Sequence, residues 1–106
     1  MRQNESRIKT RIKAEFEARG AYCAPIPEGT YGKPGDPDMV VCYKGRFIGA
    51  EGKTPEGCLR DVQKLRRSQI EAAGGIYAVV RSEEDARRVM DAIDEEEKGC
   101  SEEDTE

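Results

Sequence analysis

The stretch KPGDPDMVVCYKGRFIGAEGK, residues 33–53, holds two apolar runs on either side of Lys44-Gly45, with Asp38 just before the first and Glu51 and Lys53 at the end of the second. Two such runs around a two-residue turn read as a β-hairpin, although Lys-Gly is a weaker turn former than Asn-Gly. With Lys44 and Gly45 as the turn, Tyr43 pairs with Arg46 and Cys42 with Phe47, and counting outward sets Asp38 opposite Glu51. Directly opposed residues share a sheet face, with Cβ atoms ~4.5–5.5 Å apart. Glu51 and Lys53, two apart on one strand, share that face as well. Opposed carboxylates repel, so the arrangement makes sense with a cation between them or with that strand end open to water.

Outward from the hairpin, Ile8, Ile12 and Phe16 recur every fourth residue between Asn4 and Arg19, and Gly20 follows. This spacing predicts a helix that stops at the glycine. Glu5 projects onto the same apolar stripe and Glu17 away from it. AYCAPI reads as a short strand, and the Gly/Pro-rich run from Pro25 to Pro37 as a loop that delivers Asp38 to the hairpin. After Thr54-Pro55, a second helix is predicted over 57–73 with a stripe of Leu59, Val62, Leu65, Ile70 and Ala73, closed by Gly74-Gly75. On that helix Gln63 lies at the edge of the stripe, and Gln69 nearer its middle as a structural polar residue. IYAVV reads as a central strand. Ser82 with Asp85 fits a capping box for a third helix carrying Ala86, Val89, Met90 and Ile93. The predicted order is helix, three strands, helix, strand, helix, without an internal repeat.

The chain has 106 residues, enough for one domain with a modest core. It contains no histidine, which excludes Ser-His-Asp and Cys-His catalysis and zinc fingers of the Cys/His type. Cys23, Cys42, Cys58 and Cys100 form no C-x-x-C pair and are expected to be buried free thiols. The polar N-terminus and the lack of a long apolar run predict an intracellular protein without a membrane span. The net charge of −4 is uneven, because residues 94–106 hold eight acids against Lys98, a net of −7 that leaves residues 1–93 at +3. The predicted division is therefore a single domain over 1–93 and an acidic, disordered tail over 94–106. The tail is either merely solvated or a mimic that competes with a polyanion for the basic body.

An Asp, then Glu-x-Lys at a strand end, on a hairpin between helices in this order, resembles the PD-(D/E)XK nuclease core. More closely, the run from Glu5 to Arg81 resembles the VRR-NUC family of that superfamily. KPGDPDMVV is similar to its G-x-P-D segment, FIGAEGK to its E-x-K, and CLRDVQKLRRSQIEAAGGIYAVVRS to its glutamine-bearing helix, Gly-Gly turn and closing strand. The resemblance implies an α/β fold with an αβββαβ core, its mixed central sheet flanked by helices. It implies a Mg²⁺- or Mn²⁺-dependent endonuclease in which Asp38, Glu51 and the main-chain carbonyl of Gly52 hold the metal. Lys53 would position or deprotonate the attacking water, Gln63 would support the site, and Glu5 matches the family's acid on the first helix. Hard carboxylate oxygens suit those ions.

Gly52 departs from the family pattern, where an apolar β-former is usual, and Gly49 adds a second loosening of the strand end. Asp36 reads as a turn former. GGIY invites comparison with GIY-YIG nucleases, but the rest of that pattern is missing after Tyr77. Arg2, Arg7, Lys9, Arg11, Lys13, Lys64, Arg66 and Arg67 could contact phosphates or could be charged faces of solvated helices. The partner implied is DNA, cut through structures such as Holliday junctions during replication, recombination or repair. The setting implied is the cytoplasm of a bacterial host, with the protein encoded by a bacteriophage, and a homodimer is favoured if junctions are the substrate. The competing class is a non-catalytic nucleic-acid-binding module that retains the nuclease fold.

Overall fold

The structure is a computed structural model that describes residues 5–27 and 34–104, with side chains for 6–27 and 34–98. It contains α1 (Glu5–Ala18), β1 (Tyr22–Pro25), β2 (Met39–Tyr43), β3 (Arg46–Gly52), α2 (Asp61–Ala72), β4 (Ile76–Val80) and α3 (Glu83–Asp104). The sheet runs β1-β2-β3-β4. Its first two pairings are antiparallel and β3 runs parallel to β4, as a crossover through α2 requires. This is the predicted order and the mixed α/β sheet, but among the described residues β4 lies at an edge with β3 as its neighbour, not at the centre as its apolar run suggests.

The hairpin has the predicted register, Tyr43 opposite Arg46 and Cys42 opposite Phe47. Its two turn residues lie in the left-handed region, Lys44 at φ 50° and Gly45 at φ 81°, the geometry of a type I′ turn. A lysine there costs about 1 kcal/mol. The Lys44 ammonium is held 2.7 Å from Asp94 Oδ1 and lies over the Tyr43 ring, which offsets that cost. Both α1 and α2 end in Schellman-type turns, with Ala21 N–H donating to the Phe16 carbonyl and Gly75 N–H to that of Ile70.

Ile8, Ile12 and Phe16 of α1 and Ala86, Met90 and Ile93 of α3 pack on one sheet face, against Met39, Val41, Tyr43, Ile48, Ala50, Ala78 and Val80. Side chains alternate between faces, so Cys42, Phe47, Gly49, Glu51 and Tyr77 belong to the other face, which α2 covers mainly over β4. One helix cannot cover four strands. Tyr22, Cys42 and Phe47, neighbours across β1, β2 and β3, stay exposed. Of the four thiols expected in the core, Cys23 is buried, Cys42 and Cys58 are exposed, and Cys100 lies outside the described side chains.

Two further expectations are corrected. Helix α2 starts at Asp61 rather than 57, because Arg60 is extended at φ −77°, ψ 162° and its N–H is capped by the Gln63 side chain. Its inward face is also different: Leu65 is 51% exposed, Ala73 and Gln69 are exposed, and Gln63 is buried. The acidic segment from 94 onward continues α3 as far as Asp104. Its first turn has partners from elsewhere in the chain, since Asp94 accepts from Tyr43 and pairs with Arg19 and Lys44, and Glu96 pairs with Arg46. No helix among the described residues is long and apolar enough to cross a membrane.

Candidate active site

The β2–β3 ladder ends at Met39 opposite Ala50, so one further step sets Asp38 opposite Glu51. Asp38 Oδ2 reaches across this end and accepts the Gly52 N–H at 2.7 Å. Lys53 N–H donates to the Val80 carbonyl at 3.1 Å, which ties the same strand end to β4. The two glycines that the sequence marks as loosening β3 sit in packed surroundings. A Cβ on Gly49 would come within 2.7 Å of Pro37 Cγ, so this glycine permits the loop before Asp38 to close over the strand.

Glu51 and Gln63 are both buried. Gln63 Oε1 accepts the Arg60 N–H at 2.8 Å, and a main-chain N–H can only donate, so the other end of the amide must be the donor. That end, Nε2, donates to Glu51 Oε2 at 2.9 Å. A single glutamine thus caps α2 and ties it to the end of β3. Lys53 Nζ lies 3.6 Å from the same Oε2. Glu51 Oε1 is buried and has no hydrogen-bond partner among the described residues. Burial foremost, and then the charge of Asp38, push the Glu51 carboxyl up to about 7, against the opposing pull of Lys53 and Lys9.

Of the predicted residues, Asp38, Glu51, Gly52, Lys53 and Gln63 therefore converge at one sheet end. Glu5 opens α1, but its side chain lies outside the described ones. Asp36 stands apart, 3.7 Å from the Arg66 guanidinium, which also donates to the Pro34 carbonyl. Among the basic groups, Arg67 pairs with Glu71 on its own helix, and Arg2 lies outside the described residues. One lysine that the sequence left open between phosphate contact and a solvated helix face is at the site: Lys9 Nζ is 3.2 Å from Asp38 Oδ1. The available signal was its spacing of four from Glu5, which puts both on one helix face.

The fit of a divalent cation can be judged from these groups. Two hard carboxylates face each other, and one buried oxygen lacks a donor. No cluster of three or more acid, cysteine or histidine ligands occurs among the described residues, so main-chain oxygen and water would complete the coordination.

No family model matches the chain, and no curated protein matches it. Among solved structures, one described as a VRR_NUC domain superposes with a TM-score of 0.70 at 22% identity, covering 82% of this chain and 94% of that one. At that identity the likeness shows the fold alone: the chain shares the architecture of that domain.

Proposed function

We propose that the domain is a deoxyribonuclease that hydrolyses phosphodiester bonds with the help of Mg²⁺ or Mn²⁺. The observation that carries this reading is Glu51, a buried carboxylate with Oε2 held by Gln63, Oε1 without a partner, and Asp38 opposite. A bare buried carboxylate oxygen beside a second carboxylate is costly unless a cation uses it.

Asp38, Glu51 and the Gly52 carbonyl would hold the ion. When bound, it makes a coordinated water more acidic and offsets charge on the phosphate. Gln63 fixes the rotation of Glu51, so that Oε1 is the oxygen offered. The Lys53 ammonium neutralises charge that develops on the phosphate or orients the attacking water. Glu5, at the start of α1, would complete the acidic set. DNA is the substrate in this reading, with branched forms such as Holliday junctions suited to a homodimer whose two sites make symmetric cuts. A role in replication, recombination or repair fits that substrate.

Titration of Mn²⁺ into the wild type, Asp38→Asn and Glu51→Gln by calorimetry tests the proposal. Binding in the wild type and its loss in both variants is the expected result. Unchanged DNA binding in a protein that takes up no metal would favour the non-catalytic binding module.

A further inference from the structure

Gly52 stands between Asp38 and α1. A Cβ there would lie 3.4 Å from each of Asp38 Oδ2, Ile12 Cδ1 and Lys9 Cγ. An apolar β-former would carry further carbons beyond that Cβ, into the space that the lysine stem crosses. The glycine therefore leaves a passage for Lys9 from the helix to the sheet end. Through it the Lys9 ammonium reaches Asp38 Oδ1 at 3.2 Å, its side chain 34% exposed and that of Asp38 13% exposed. The other oxygen of the same carboxylate accepts the Gly52 N–H. Each Asp38 oxygen thus has a donor, and Oδ1 has a full positive charge beside it.

We propose that Lys9 is a built-in counter-ion for Asp38 that gives way to the divalent ion and then serves the substrate. In the metal-free protein its ammonium stabilises the Asp38 carboxylate. The Lys9 ammonium would be repelled by a divalent cation held by Asp38. The flexible four-carbon stem and partial exposure let the ammonium turn outward, where it meets a phosphate of the bound strand. Lys53 is placed differently, buried and against Glu51 Oε2. The site then has two ammoniums with separate duties, one fixed beside Glu51 and one exchangeable at Asp38. This inference rests on the metal-dependent reading given above.

Lys9→Met keeps the aliphatic stem and removes the charge, and Lys9→Gln provides a second neutral variant should the first aggregate. Calorimetry should show Mn²⁺ binding about three- to tenfold more tightly to either variant than to the wild type, because a competing cation has gone. Without metal, the variants should melt a few degrees below the wild type, and saturating Mn²⁺ should close that gap. With metal present, the slope of log binding constant against log salt for duplex DNA should fall by about one. Unchanged or weaker Mn²⁺ binding, a melting gap that persists at saturating Mn²⁺, or an unchanged salt slope would overturn the proposal. A wild type that takes up no Mn²⁺ at all would remove the metal-dependent reading and this inference with it, an outcome distinct from Mn²⁺ binding that ignores Lys9.

Discussion

At Glu51 the native fold holds a carboxyl whose pKa is raised from 4.5 to about 7, chiefly by burial. Between those values the folded state keeps a proton that the unfolded chain has lost, so the metal-free protein should lose stability as pH rises through that window. Below 4.5 both states are protonated and the penalty disappears. Glu51→Gln should abolish the pH dependence that arises from this residue and leave the neutral-pH protein as stable as the wild type or more so. Thermal melts of both proteins from pH 4 to 8 without metal test this, and parallel curves would show that Glu51 is not the buried acid described. Gln63→Ala removes the donor to Glu51 and the cap of Arg60 together. The lost bond to buried Glu51 costs about 1–3 kcal/mol and the lost cap of Arg60 adds to it, so a drop of that order in chemical-denaturation stability is expected. Lys53→Ala should lower kcat by a factor on the order of 10² with little change in Mn²⁺ affinity, because the group acts on charge that develops in the transition state. Collapse of metal affinity in that variant would make Lys53 a support for the carboxylates instead.

Among the elements, β3 and the loop closing over it determine whether the site forms. Gly49→Ala would put a carbon 2.7 Å from Pro37 Cγ, and is expected to destabilise the fold by about 1–3 kcal/mol and to weaken metal binding by displacing Asp38. A denaturant melt and a Mn²⁺ titration of this variant measure both effects. The hairpin was legible in the sequence because its signals are local: alternating apolar residues, a two-residue turn, and a register that follows by counting. The same count brought Asp38, Glu51 and Lys53 together. The inward face of α2 was less legible. Apolar periodicity selects Leu65, yet the sheet below offers a carboxylate, and Gln63 is the side chain that meets it. Lys9 was hidden for a related reason, since a lysine on a charged helix looks solvated until the strand it approaches is known to carry Gly52.

Over the whole molecule, charge is divided between a basic body and the acidic end of α3. The partners of Asp94 and Glu96, which are Arg19, Tyr43, Lys44 and Arg46, are remote in the chain and so do not show in sequence composition. The last described core residue of α3 is Ile93, and Glu96 holds an exposed ion pair with Arg46. Exposed pairs contribute about 0–1 kcal/mol, so deleting residues 95–106 should move the melting temperature little. The same deletion should strengthen DNA binding at low salt, because a net negative segment no longer competes with phosphate. Equal affinities in full-length and shortened chains across a salt series would show that the acidic end does not face the nucleic acid.

The central claim is that Asp38, Glu51 and Lys53 form a metal-dependent phosphodiesterase site. Its most direct test is a cleavage assay of end-labelled DNA, linear, flapped and four-way, with Mg²⁺, Mn²⁺ or chelator, using the wild type and Glu51→Gln prepared in parallel. The account predicts cleavage of at least one substrate by the wild type that requires the divalent ion and is abolished in the variant. Cleavage by Glu51→Gln at the wild-type rate, or a folded wild type that cuts none of these substrates with either ion, would contradict it.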